Sequence, residues 1–205
     1  MAHFNATELP NLSGKELERI ARVINPGGWH VDDIHHPIAT LLGSCVAVCL
    51  FDPILKIGGM NHFMLPKMTR SKNADDEDVT LAGDYAMEVL VTALFKKGAQ
   101  RHRLVAKAFG GGNIVNSITT AIGTRNVEFA HHWLKNEGIT LSAQDFGGPW
   151  SRKVIFLPGT GDAFCRRMPI NQNIIQETLV KEVEYEKSLH KPKVPAFEGK
   201  KIELF

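Results

Sequence analysis

The run Cys45-Val46-Ala47-Val48-Cys49-Leu50-Phe51 constrains the fold more than any other segment. It is apolar, β-branched in part and of strand length, so it is expected to lie in a buried sheet. Asp52-Pro53 then turns the chain, and Ile57 to Leu65 reads as a returning strand that stops before Pro66. A connection this short makes the two runs natural antiparallel neighbours. Cys45 and His62 meet only if they lie toward the same end and on the same face. Pattern alone leaves that open.

Other elements follow from caps and periodicity. Ser13-Gly14-Lys15-Glu16 is a capping box, and Leu17, Ile20, Ala21 and Ile24 recur on one helical face until Pro26-Gly27-Gly28. Residues 67–78 are polar and charged, a surface loop. Tyr85, Val89, Leu90, Ala93 and Leu94 mark a helix closed by Lys96-Lys97-Gly98. Leu104–Phe109 reads as a buried strand, Asn126–Asn136 as a helix, and 139–145 and 153–157 as strands between glycine-rich turns. Asn173–Leu189 predicts an amphipathic helix with Ile174, Ile175, Leu179 and Val183 inward, followed by a Lys- and Pro-rich tail. No internal repeat is present. The order of elements predicts mixed α/β content, not an all-parallel doubly wound sheet.

A chain of 205 residues is long enough to bury a core without staples. Basic and acidic residues nearly balance, 24 against 22, so nothing points to nucleic acid or a membrane surface. Residues 1–11 lack the apolar stretch of a signal peptide, and no uncharged run reaches spanning length. Three cysteines, Cys45, Cys49 and Cys165, are an odd count that fits reduced thiols in the cytoplasm.

A nucleophilic cysteine needs its thiolate, and an ordinary thiol near pKa ~8.5 is only slightly ionised at pH ~7. Cys45 follows Gly43-Ser44 at a strand start, where tight backbone geometry can present N–H groups to an oxyanion. Taken alone, a cysteine in an apolar strand is more often a core residue, and a lone strand histidine more often structural.

The surrounding residues add a resemblance. Thr40-Leu-Leu-Gly-Ser-Cys45-Val-Ala-Val-Cys-Leu-Phe-Asp52-Pro53, with Gly58-Gly-Met-Asn-His62-Phe-Met-Leu-Pro66, resembles the signature of the CheD family of chemoreceptor glutamine deamidases. Lys107 to Asn113, Ile122 to Asn126 and Asp145 to Gly148 are similar to the family's later blocks, in the same order. The resemblance spans about residues 30 to 165. It implies an α+β fold of mixed β-sheets stacked in layers with helices outside. The expected division is an extension at 1–28, a single deamidase domain at 29–170, and a C-terminal helix and tail at 171–205.

The resemblance also implies a Cys-His-Thr triad. Cys45 and His62 carry over directly. The threonine position of the family falls on Ala39, and Thr40 stands one residue later, a shift that reverses the side chain in a regular strand. A local bulge, another orienting group, or a tolerated shift to Thr40 are the alternatives. Cys45 would attack a substrate glutamine as thiolate, with His62 as base and then acid, and backbone N–H groups around Ser44-Cys45 would hold the oxyanion. Ser44, Gly110, Gly111 and Asn113 are the expected substrate-binding residues. The implied partners are chemoreceptor cytoplasmic helices and a CheC-type phosphatase. A non-catalytic adaptor that binds the phosphatase or the receptors is the alternative function.

Several features stay outside that chemistry. Gly110-Gly111-Gly112 lacks the pattern of a phosphate loop and fits a turn that admits close backbone approach. The pairs His35-His36 and His131-His132 point apart, so no metal site and no cofactor are expected. Cys49 reads as core filler, and Cys165 beside Arg166 and Arg167 as an edge cysteine. Arg125 and Asn126 either touch substrate or cap the helix that follows them.

Overall fold

Burial of alternate residues divides the molecule into layers. The computed structural model describes residues 9–33, 36–65, 76–113, 118–169, 180–185 and 187. Its strands are β1 (Arg22–Val23), β2 (Trp29–Asp32), β3 (Ile38–Leu42), β4 (Val46–Asp52), β5 (Ile57–Asn61), β6 (Val105–Gly110), β7 (Thr140–Phe146), β8 (Ser151–Leu157) and β9 (Asp162–Met168). Helices α1 (Gly14–Ile20), α2 (Asp76–Lys96) and α3 (Ile118–Asn136) accompany them, with a further helical segment at 180–185. One sheet has the order β2-β5-β4-β6-β7 and the other β1-β3-β8-β9. Pairing is antiparallel except for β1 with β3 and β6 with β7. Both sheets are therefore mixed, and the fold is α+β.

Strand β4 shows how the layers arise. Val46, Val48 and Leu50 point to one side and join Met87, Leu90, Val91 and Leu94 of α2 and Ala130, Trp133 and Leu134 of α3 in one core. Cys45, Ala47 and Cys49 point to the other side and pack between the sheets with Ile38, Leu42, Val154 and Phe156. Ala39, Ile155 and Leu157, on the far face of the four-stranded sheet, meet Leu17 of α1. The stack is thus α2 and α3, the large sheet, the small sheet, then α1. A period of two along β3 sends Ile38, Thr40 and Leu42 inward and Ala39 outward toward α1.

The hairpin and the capping box form where the sequence places them: β4 pairs β5 antiparallel, and Ser13 and Glu16 bond reciprocally at the start of α1. Other elements differ from expectation. The first helix stops at Ile20 and its continuation becomes β1. Helices α2 and α3 begin earlier than their apolar periodicity indicates. Thr40 lies in a strand of its own instead of leading into β4. Strand β9, half-exposed and interrupted by Arg166-Arg167, carries too weak an alternation to be read. Val183 is 40% exposed, contrary to its predicted inward position; Glu182 and Tyr185 turn inward instead. Ile174, Ile175, Leu179, His35 and most of the predicted 67–78 loop lie outside the described residues.

Gly110, the last residue of β6, and Gly111 after it bring that strand against the start of β4. Gly110 has φ 122°, and a Cβ there would sit 2.1 Å from the Cys45 carbonyl oxygen. Gly138 also has positive φ, 66°, but opens onto free space. Gly110→Ala is therefore expected to cost about 3 kcal/mol or more, through backbone strain and overpacking together. Gly138→Ala should cost only about 1 kcal/mol. Urea unfolding followed by circular dichroism checks this, and equal losses would contradict the contact.

Candidate active site

Register places Cys45 and the His62 imidazole on one face. Cys49 pairs with Met60, and the same register continues to a bridge between Val46 and Phe63. Extended by one residue each way, it sets His62 opposite Ala47 and Met64 opposite Cys45. Cys45 and His62 are then diagonal neighbours, with backbones about 7–8 Å apart, within reach of two side chains. Both are buried between the sheets, Cys45 at 0% and His62 at 1% exposure. The backbone of His62 is fixed by bonds to Gly27 and Gly28.

Thr40 comes from the opposite sheet. Its Oγ1 donates its single proton to the Ile24 carbonyl at 2.8 Å, so its 2.8 Å contact with His62 Nδ1 has the oxygen accepting. Nδ1 then carries the ring hydrogen. Nε2 keeps its lone pair, and it is buried with no hydrogen-bond partner among the described residues. An oriented imidazole with a free basic nitrogen is what a general base requires. Thr40 reaches His62 because β3 is a separate strand whose even-numbered residues face the space between the sheets.

The Cys45 turn is braced from three sides. Gly111 N–H donates to the Cys45 carbonyl and Gly112 N–H to the Gly43 carbonyl. Asn126, fully buried, donates from Nδ2 to the Ser44 carbonyl at 2.8 Å and accepts from Leu65 N–H at 2.8 Å. It therefore does not cap α3, which begins earlier; it ties the Cys45 turn to the segment after His62. Gly110 and Gly111 serve the close backbone approach. Asn113 is held by its N–H on the Gly148 carbonyl, with a buried Oδ1 that has no partner among the described residues.

Segment 180–185 packs against the Cys45 turn. Glu182 Oε1 accepts from Cys45 N–H at 3.2 Å, and Oε2 accepts from the Ser44 hydroxyl at 2.7 Å. Sequence reasoning missed this contact, because nothing local couples positions so far apart along the chain. Burial first, then the Glu182 carboxylate, raises the Cys45 thiol well above its ordinary value. Burial first, then Lys181, lowers His62 to about 3, against a raising backbone bond to Ile24. Thiol and imidazole are consequently both neutral in this closed arrangement.

The other cysteines differ. Burial raises Cys49 far up. Cys165 is pushed up to about 11 by burial and then by Asp145, whose carboxylate offsets the neighbouring arginines. Among the described residues, no group of three His, Cys, Asp or Glu side chains is placed to hold a metal ion, and no helix is long and apolar enough to cross a membrane.

Fold and site together define an α+β protein that gathers a cysteine, a histidine and a threonine hydroxyl between two mixed sheets. A family model, "CheD chemotactic sensory transduction", matches residues 64–167. The chain is 55% identical over 197 residues to "Probable chemoreceptor glutamine deamidase CheD 2" of Dechloromonas aromatica, covering 95% of this chain and 98% of that one. It is 44% identical over 154 residues to "Probable chemoreceptor glutamine deamidase CheD" of Xanthomonas euvesicatoria pv. vesicatoria, covering 75% and 76%. A relative of the same name from Stenotrophomonas maltophilia is 43% identical with the same coverage. The chain belongs to the CheD family.

The buried imidazole makes a pH prediction. Its folded pKa, about 3, lies below the ordinary 6.5, so between these values the unfolded chain binds a proton that the native one refuses. The associated stability is complete above pH ~6.5 and is lost as pH falls through that window. Native protein should lose about 2 kcal/mol from this source between pH 7 and pH 5. Asp52 and Asp145, held below the usual carboxylate value by their arginine partners despite burial, respond only at lower pH. Urea midpoints at the two pH values should converge in His62→Gln; an unchanged pH slope in that variant would exclude the assignment.

Proposed function

We propose that the protein hydrolyses glutamine side chains of chemoreceptors to glutamate, releasing ammonia, with Cys45 as nucleophile, His62 as base and Thr40 as the hydroxyl that orients it. The observation that carries this reading is the Thr40–His62 contact, which leaves Nε2 free on the face that holds Cys45. The relatives' names supply the substrate class, and the pocket suits it: Cys45 N–H and the Ser44 hydroxyl already hold a carboxyl group the size of a glutamine's end.

With substrate in place, the Cys45 thiol gives its proton to His62 Nε2, and sulfur attacks the carboxamide carbon. The carbonyl oxygen becomes an oxyanion that Cys45 N–H and the Ser44 hydroxyl stabilise, an effect often worth about 3 kcal/mol. The imidazolium returns its proton to the departing amine, giving ammonia and a thioester. Water, deprotonated by the same Nε2, then cleaves the thioester to glutamate and the free thiol.

We further infer a cytoplasmic protein, in keeping with three unpaired cysteines. We read residues 29–170 as the deamidase domain, with 1–28 and 171–205 as flanking pieces. Gly110, Gly111 and Asn113 then border the substrate cleft from the β6 side. A CheC-type phosphatase is the second partner we infer, as the resemblance to the family implies. That partner alone would leave an adaptor, and activity separates the two readings.

Incubation with a receptor cytoplasmic fragment should release ammonia and convert specific glutamines to glutamate, read by mass spectrometry. Cys45→Ala should abolish the conversion, and His62→Gln should slow it by about 10²–10⁴-fold. Full activity in Cys45→Ala would end the proposal.

A further inference from the structure

The pocket that would receive a glutamine is occupied by the chain itself. Glu182 is 6% exposed, its two carboxylate oxygens resting on the Cys45 N–H and the Ser44 hydroxyl. Three residues on, Tyr185 lays its ring where a Cβ on Gly27 would stand, 2.3 Å from the ring, beside the segment that fixes the His62 backbone. Tyr185 packs against the buried cluster that contains Cys45, Ile24, Met60 and Met64. Burial, and then the neighbouring Cys45, pushes the Tyr185 hydroxyl up to about 12. Lys181, on the same segment, lies close enough to disfavour a charged His62. Successive positions of one short helix thus address the nucleophile, the base and the pocket wall.

A glutamate side chain is what deamidation makes of a glutamine. We propose that segment 180–185 is a tethered product mimic: Glu182 fills the acyl site, and the chain inhibits itself until a glutamine-bearing helix displaces the segment. This inference rests on the deamidase reading for the meaning of the acyl site. Displacement is feasible energetically. Burying a carboxylate on an N–H and a hydroxyl recovers only part of its lost hydration. Val180 and Val183 stay half exposed, so the segment adds little apolar burial from those positions. Its strength comes from covalent attachment, which makes closure an intramolecular event. A tethered competitor of this kind raises the apparent KM and leaves kcat unchanged.

The full chain carrying Glu182→Ala should show a KM for receptor fragment lower by on the order of tenfold, with kcat unaltered. Its Cys45 should alkylate with iodoacetamide faster by a similar factor. If both KM and alkylation rate stay at wild-type values, the inference is overturned. If neither protein deamidates the fragment while alkylation accelerates, the deamidase reading fails and the closure stands. Glu182→Gln gives an independent reading, and decides the matter where Glu182→Ala does not fold. The introduced amide lies in the acyl site, so it should be hydrolysed by water to glutamate and ammonia at a rate independent of protein concentration. It should persist when combined with Cys45→Ala. Peptide mass analysis distinguishes amide from acid, and where wild type deamidates the receptor fragment, a folded Glu182→Gln that keeps its amide overturns the proposal.

Discussion

Everything in the site depends on β4 being paired on both edges at once. Toward β5, the register fixed at Asp52 and Ile57 persists to Val46 and Phe63, which carries His62 to the end of the hairpin where Cys45 stands. Toward β6, Val46 pairs with Gly110, and the glycine's missing Cβ lets the backbone close onto the Cys45 carbonyl. A slip of one residue on the β5 side would send His62 toward α2 and break the pair. The apolar faces forbid that slip, because Val46, Val48 and Leu50 already fill the helix-side core. Packing on one face of β4 thus sets chemistry on the other.

The sequence made some of this legible and hid the rest for physical reasons. The β4–β5 hairpin was readable because its turn and its apolar runs are contiguous. The Ser13–Glu16 cap was readable because both partners sit within four residues. Thr40 was ambiguous because its meaning depends on which sheet β3 joins, a question of long-range pairing with β8. Once β3 is a strand by itself, the offset from Ala39 ceases to matter: inward and outward faces are counted from β3's own register. The cap alternative for Asn126 fails because α3 begins eight residues before it, in a stretch whose composition gives a weak helical signal. Glu182 was invisible, since its partners Ser44 and Cys45 are coupled to it only by the folded chain.

Burial gives this site an electrostatic character that differs from an exposed thiolate–imidazolium pair. With water excluded and a carboxylate beside the sulfur, the neutral thiol and neutral imidazole are the stable forms. Proton transfer from sulfur to Nε2 would create two charges, which burial and the Glu182 carboxylate beside the sulfur disfavour. Thr40 contributes at this point. As acceptor from Nδ1–H, its oxygen stabilises the imidazolium more than the neutral ring, and its own proton on the Ile24 carbonyl fixes that direction. In the proposed mechanism the threonine would therefore act on the charged state of the imidazole.

The same logic separates inhibition from catalysis at one set of donors. Cys45 N–H and the Ser44 hydroxyl bind a full carboxylate in the closed chain and would bind a developing oxyanion in the reaction. A carboxylate satisfies them with charge already formed, next to a sulfur that must itself become negative, so it holds the thiol protonated. A neutral carboxamide brings no charge to the site. It leaves the donors free to reward charge that appears only as sulfur adds to carbon. Glutamate and glutamine differ by one charge and almost nothing in shape, and on the proposed mechanism that charge would decide whether the occupant silences Cys45 or is attacked by it.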